Sequence, residues 1–205
     1  MNDLPNILKR LLPLVGEAGK IAGTGFGHSV VLEDKARGDL ATDMDLQVNR
    51  HLVSGLRSLF PEAGILSEES GAINADREAV WIVDPIDGSK HYARGIPLYA
   101  VSVALQRKGQ LVLGVIYVPS TGETFAAFQG GGATRNGCAI ACSQEQHLER
   151  AILCVELPSR HGGQEAICGA LAQLQTLMMA SQRIRVVGVT TLGLCYCASG
   201  GFDAY

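Results

Sequence analysis

The sequence predicts a mixed α/β fold, α+β in its first part and α/β in its second, and three patterns carry that expectation. Apolar residues recur at helical spacing from Leu4 to Ala18 and again from Leu52 to Phe60. Three apolar runs, 100–106, 111–118 and 123–128, are separated by polar turns containing Gly or Pro, which describes an antiparallel meander. From residue 151 onward, strand-like and helix-like segments alternate, as in layered α/β proteins.

Taken in order, residues 4–22 are expected to form an amphipathic helix on Leu4, Ile7, Leu8, Leu11, Leu12, Val15 and Ala18, with Pro13 marking a kink or a late start. The Gly-rich stretch 23–27 breaks it, and Val30-Val31-Leu32 is extended. A second helix covers about 44–60 and stops at Pro61. Residues 64–67 read as a strand that delivers Glu68 and Glu69 at its end. Residues 79–83 read as a buried strand that ends in the turn Asp84-Pro85-Ile86-Asp87-Gly88-Ser89. Ser89 is the expected N-cap of a short helix that Gly95 terminates. After the meander, residues 129–137 make a Gly-rich connection, followed by a strand at 151–155, a helix at 163–180, a strand at 183–187 and a helix at 192–199. These elements divide into an N-terminal α+β domain, 1–140, carrying the clustered carboxylates, and a C-terminal α/β domain, 141–205.

Bulk properties narrow the function. The net charge is -3 and the basic residues are scattered, which gives a nucleic-acid polymer little to bind. No apolar run approaches the ~20 residues that span a bilayer. Charges at Lys9, Arg10, Glu17 and Lys20 make the N-terminus a poor signal peptide. The six cysteines show neither C-x-x-C nor zinc-finger spacing, so reduced thiols packed in apolar surroundings are expected, in a cytoplasmic protein.

The chemistry concentrates at the turn after residue 83. Asp84 and Asp87 converge there beside the N–H groups of a helix start. Carboxylates are hard ligands for Mg²⁺, and helix-start N–H groups hold phosphate. An Asx-rich turn without chemistry accounts for the same residues. Glu68 and Glu69 repel one another unless a cation or donors compensate, and they end a neighbouring strand; a shared metal explains them better than two solvated acids. Asp43 and Asp45 lie in the first turn of the second helix, where the helix dipole accounts for them as well as catalysis does.

The motif Asp84-Pro85-Ile86-Asp87-Gly88-Ser89 resembles the DPIDGT signature of the inositol monophosphatase family, with Ser89 for Thr. Three further segments match in order. Lys35 to Asp45 resembles K-x-x-x-D-L-V-T-x-x-D. Ser67-Glu68-Glu69-Ser70 resembles G-E-E-S, with Ser67 for Gly. Gly132-Ala133, Asn136-Gly137 and Ser143 resemble the family's G-A-x-x-N-G-x-x-x-x-S hairpin. Gly200 to Tyr205 resembles the family's G-x-x-D-A-Y-like segment.

The resemblance implies a layered αβαβα sugar-phosphatase sandwich and a Mg²⁺-dependent, lithium-sensitive phosphatase using two or three ions. Glu68, Asp84, Asp87 and the Ile86 carbonyl would be metal ligands. Ser89, oriented by Asp45, would position water together with Glu68. The amides of Gly88 and Ser89 would cradle phosphate, and Lys35 would meet substrate or a third metal. Asp39 would be structural and Asp43 a solvated acid. The expected partners are a small phosphorylated metabolite and a second copy in a homodimer. The family's W-D-x-A-A-G motif would follow Tyr205. Its Asp is a second-site ligand, so a C-terminally truncated, weak or inactive phosphatase is expected of these 205 residues.

An inositol monophosphate-like ester is the first expected substrate. The alternatives are a 3′(2′),5′-bisphosphate nucleotide, another sugar phosphate or histidinol phosphate, or no turnover at all in a metal- or phosphate-binding paralogue. Lys90, Arg160, His161, Arg183 and Arg185 are candidate substrate contacts. A haloacid-dehalogenase mechanism needs D-x-D, whereas this chain has D-x-x-D.

Overall fold

The first helix, α1 (Leu4–Gly25), buries Leu11, Val15, Ala18, Gly19 and Ala22, one stripe at helical spacing. Pro13 neither delays nor ends it, and the helix continues to Gly25 rather than stopping at the first glycine of 23–27. The computed structural model describes residues 4–35, 39–158 and 162–205. A two-stranded antiparallel hairpin follows, β1 (Val31–Lys35) and β2 (Asp39–Thr42). Helix α2 (Asp43–Leu59) begins at Thr42 in a reciprocal capping box with Asp45 and buries Met44, Val48, Leu52 and Leu56.

An eight-stranded sheet comes next. Its strands are β3 (Gly64–Ser67), β4 (Gly71–Ile73), β5 (Ala79–Asp87), β6 (Ala100–Arg107), β7 (Gln110–Val118), β8 (Glu123–Phe128), β9 (Gly132–Arg135) and β10 (Cys138–Ala139). The spatial order is β10-β9-β8-β7-β6-β5-β3-β4, with β3 and β5 parallel and the other neighbours antiparallel. Helices α1 and α2 pack on each other, α1 against β7 and α2 against β5. The shared core includes Leu11, Leu52, Ile65, Trp81, Val101, Leu105 and Val115.

Residues 129–137 do not only connect: β9 and β10 form the hairpin that the resemblance implies and extend the meander, joined by Asn136-Gly137 with φ of 51° and 79°. Both residues take positive φ, as a tight primed hairpin turn requires. Strand β5 also does not stop at Asp84. It runs through Pro85 to Asp87, and the register against β6 slips between Asp84 and Asp87. A bulge tolerates a proline because it leaves a ladder position unpaired.

The chain divides into two compact units, 1–139 and 140–205. A short helix, α3 (Ser89–Ala93), follows β5 in the first unit; the second contains β11 (Ile152–Cys154) paired parallel with β12 (Arg183–Arg185), and helices α4 (Gly163–Ala180) and α5 (Thr190–Ala198). Ser143 Oγ donates to Asp203, whose other carboxylate oxygen accepts the Ile152 amide at 2.6 Å. All six cysteines are free, and Cys138, Cys142 and Cys168 are exposed rather than packed in apolar surroundings. Among the described residues, no helix is long and apolar enough to cross a membrane.

Candidate metal and phosphate site

The bulge in β5 places Asp84 opposite Ser102 and Asp87 opposite Ala100. Gly88 then turns with φ 93°, a left-handed conformation that a side chain disfavours, and starts α3 (Ser89–Ala93). Gly88, not Ser89, is therefore the N-cap; Ser89 is the first helical residue and its hydroxyl is released for other work. Gly95, with φ 68°, follows the helix end.

The Ser89 hydroxyl lies 2.9 Å from the Ile86 carbonyl and 3.4 Å from Asp45 Oδ1. It has one proton, so it serves one acceptor at a time, and the shorter bond is to Ile86. Asp45 is 2% exposed. Its Oδ2 accepts from the Thr42 amide at 2.7 Å and from Thr42 Oγ1 at 2.6 Å, while Oδ1 faces Ser89. One carboxylate thus makes two contacts: it closes the capping box of α2 and it reaches the Asp-Gly-Ser turn.

Glu68 follows β3, and its amide bonds the Val83 carbonyl at 3.2 Å, which sets it beside the end of β5. The Glu69 amide bonds Ser67 Oγ at 3.3 Å. Ser67 is buried and donates to Asn49 Oδ1 of α2 at 2.7 Å.

Electrostatics single out Asp84. Burial pushes its carboxyl up to about 8, and the negative charges of Asp87, Glu68 and Asp45 push the same way, against a hydrogen bond from the Ile86 amide. Its Oδ1 is buried without a hydrogen-bond partner. An orphaned carboxylate oxygen among like charges fits a hard divalent cation, the partner that removes both penalties. Among the described residues, no three His, Cys, Asp or Glu side chains are drawn together closely enough to cage an ion by themselves. Mg²⁺ keeps several waters and takes few carboxylates, so the donor set remains suited to it.

Other candidates fall elsewhere. Lys35 ends β1, and its side chain, like that of Asp39 and the whole of Arg160 and His161, lies outside the described residues. Lys90 is exposed on α3. Arg183 and Arg185 are exposed on β12. Asp43 is more than a solvated acid: its Oδ1 accepts the Val30 amide at 2.9 Å while its own amide bonds the Val30 carbonyl, tying the hairpin entrance to α2. Thr42 and Asn49 do supporting work that sequence reasoning missed. The Thr42-x-x-Asp45 spacing, a capping-box pattern, was the signal for the first.

A mixed sheet carries α1 and α2, and carboxylates gather at a bulged strand end beside a glycine turn. The family model described as "Inositol monophosphatase family" matches residues 3–205, and the chain belongs to that family. It is 32% identical over 202 residues to the inositol-1-monophosphatase of Mesorhizobium japonicum, covering 97% of this chain and 75% of that protein. It is 32% identical over 179 residues to the Nus factor SuhB of Pseudomonas aeruginosa, covering 86% of this chain and 66% of that one. Among solved structures, the extragenic suppressor protein SuhB of Bartonella henselae superposes with a TM-score of 0.88 at 28% identity, covering 96% of this chain and 76% of that one.

Proposed function

We propose that this protein hydrolyses a small phosphate monoester, first an inositol monophosphate, with Mg²⁺ as its cofactor. The observation that carries the reading is Asp84, whose buried, unpartnered Oδ1 sits among the charges of Asp87, Glu68 and Asp45. Glu68, Asp84, Asp87 and the Ile86 carbonyl would hold the metal, which supplies Lewis acidity and lowers the pKa of bound water. The chain's own part is positional. Asp45, fixed by its two bonds to Thr42, offers Oδ1 to the Ser89 hydroxyl. Ser89 orients the attacking water, and Glu68, at the end of the neighbouring strand, accepts its proton. The amides of Gly88 and Ser89 receive the phosphate oxygens, and Gly88 leaves the approach clear of a side chain. Water attacks directly, so no phosphoenzyme forms. Lithium sensitivity, a homodimer and a cytoplasmic location belong to the same reading.

A substrate panel tests it. Inorganic phosphate release is measured from inositol monophosphate, a 3′(2′),5′-bisphosphate nucleotide, histidinol phosphate and a sugar bisphosphate, each with Mg²⁺ and with EDTA. The expected result is EDTA-sensitive turnover, highest on inositol monophosphate. Preference for another ester would move the substrate assignment. Binding without turnover of any ester would replace catalysis with a metal- and phosphate-binding role.

A further inference from the structure

Four of the six cysteines, Cys142, Cys154, Cys195 and Cys197, lie in or against α5 and the turn that follows it. Cys154, at the end of β11, is 1% exposed, and its Sγ is 3.1 Å from the point a Cβ on Gly193 would occupy. Gly193 and Cys197 are four residues apart in α5 and share one face of the helix. Cys197 is therefore the next side chain on the face that Cys154 touches. The chain turns at Gly200, whose amide bonds the Cys197 carbonyl at 3.1 Å. A Cβ on Gly200 would stand 3.2 Å from the Ala141 carbonyl oxygen, 3.3 Å from the Ser143 nitrogen and 3.6 Å from the Cys142 carbonyl carbon. The Ser143–Asp203 hydrogen bond fastens the same strip of chain. Close packing at a glycine thus lays the backbone of exposed Cys142 against the turn that leaves half-buried Cys197.

We propose that Cys142 and Cys197 form a reversible intramolecular disulfide when the protein meets a hydroperoxide, with Cys142 as the residue oxidised first and Cys197 as the resolving thiol. The Cys142 thiolate attacks one peroxide oxygen, the O–O bond breaks, and hydroxide leaves and is protonated to water. The resulting sulfenic acid is then attacked by the Cys197 sulfur. The S–O bond breaks, and the departing hydroxyl leaves as water with the Cys197 proton. Two thiols lose two protons and two electrons, and one hydrogen peroxide becomes two waters. Burial raises the Cys197 thiol, and the charges of Cys142 and Asp203 raise it further, so it is a poor first attacker and waits for the sulfenic acid beside it. Cys154 is raised by burial as well and is deeper still. The bond would clamp the strip at 141–143 to the end of α5 and would open again with a dithiol.

The full chain, fully reduced, is treated with equimolar hydrogen peroxide and mapped by mass spectrometry without reductant. The expected product is a Cys142–Cys197 peptide pair, two hydrogens lighter than its thiols and lost on adding dithiothreitol. Cys197→Ser should instead leave a sulfenic acid at Cys142 that dimedone captures. Cys142→Ser should abolish the cross-link, with circular dichroism confirming that both variants are folded. As a check independent of any variant, the thiol oxidant diamide should yield the same pair in the parent. Intermolecular disulfides alone, or irreversible over-oxidation of Cys142 with no linked pair, would overturn the proposal.

Discussion

The Ser67 hydroxyl donates a 2.7 Å hydrogen bond to Asn49 Oδ1, joining β3 to α2 beneath the carboxylates. Both residues are buried, Ser67 at 4% and Asn49 at 6% exposure. Ser67→Ala leaves Asn49 Oδ1 without this donor in an apolar setting and should lower stability by about 1–3 kcal/mol. Asn49→Ala should have a similar effect, and the double variant should be less destabilised than the sum, because the two changes remove one interaction. Urea denaturation of the four proteins checks this; strict additivity would mean the bond contributes nothing.

Asp203 gives a pH-dependent contribution in the second unit. Hydrogen bonds from Ser143, then from the Ile152 amide, hold its carboxyl below the ordinary aspartate range. A depressed pKa stabilises the fold above the unfolded value, about 3.9 for aspartate, and the contribution is lost as pH falls through the folded value. Asp203→Ala should therefore melt below the parent at pH 7, and the gap should narrow at pH 3. A gap independent of pH would assign the effect to packing.

Much of this fold was legible because its signals are local. The meander strands β6, β7 and β8 follow from apolar runs cut by Gly and Pro turns, and α1 and α2 from periodicity. The failures are places where tertiary structure decided. Pro85 reads as the end of a strand, yet a bulge against β6 absorbs it. Ser89 reads as an N-cap, but Gly88 takes that position because it alone adopts the left-handed turn without strain. The hairpin of β9 and β10 was legible only through the family resemblance, because its glycines serve the turn and leave no apolar run. Within the site, Asp45, Asp84 and Ser89 were visible as motif positions. The partnership of Asn49 with Ser67 was not, since its members are 18 residues apart and no spacing rule joins a helix interior to a strand end.

The position of Ser89 sets a kinetic expectation. If its hydroxyl orients water, Ser89→Ala should lower turnover by about 100-fold or more, within the range for losing a positioned proton-transfer partner. Ser89→Thr keeps the hydroxyl and should keep most activity. Equal, small effects in both variants would leave Ser89 as a turn residue only.

Asp45 gives one oxygen to Thr42 and turns the other toward Ser89, and substitution separates the two contacts. Asp45→Asn keeps an oxygen for capping but loses the charge, so stability should fall by about 0.5–2 kcal/mol, the scale of a helix cap. Turnover should fall more steeply than that loss explains, measured at a temperature where both proteins remain folded. A drop in stability with unchanged kcat would confine Asp45 to the capping box.

The central claim is that Asp84 is the pivot of a metal site that hydrolyses phosphate esters. The most direct measurement is Mg²⁺-dependent phosphate release from inositol monophosphate by the parent and by Asp84→Asn, with melting temperature recorded on the same samples with and without millimolar Mg²⁺. In the parent, Mg²⁺ should support turnover and raise the melting temperature, because it binds the folded chain and displaces the proton that burial holds on Asp84. In Asp84→Asn, turnover should vanish and the thermal shift should shrink, while the metal-free variant should be at least as stable as the metal-free parent. Equal Mg²⁺ effects in the two proteins would remove Asp84 from the site and contradict the account.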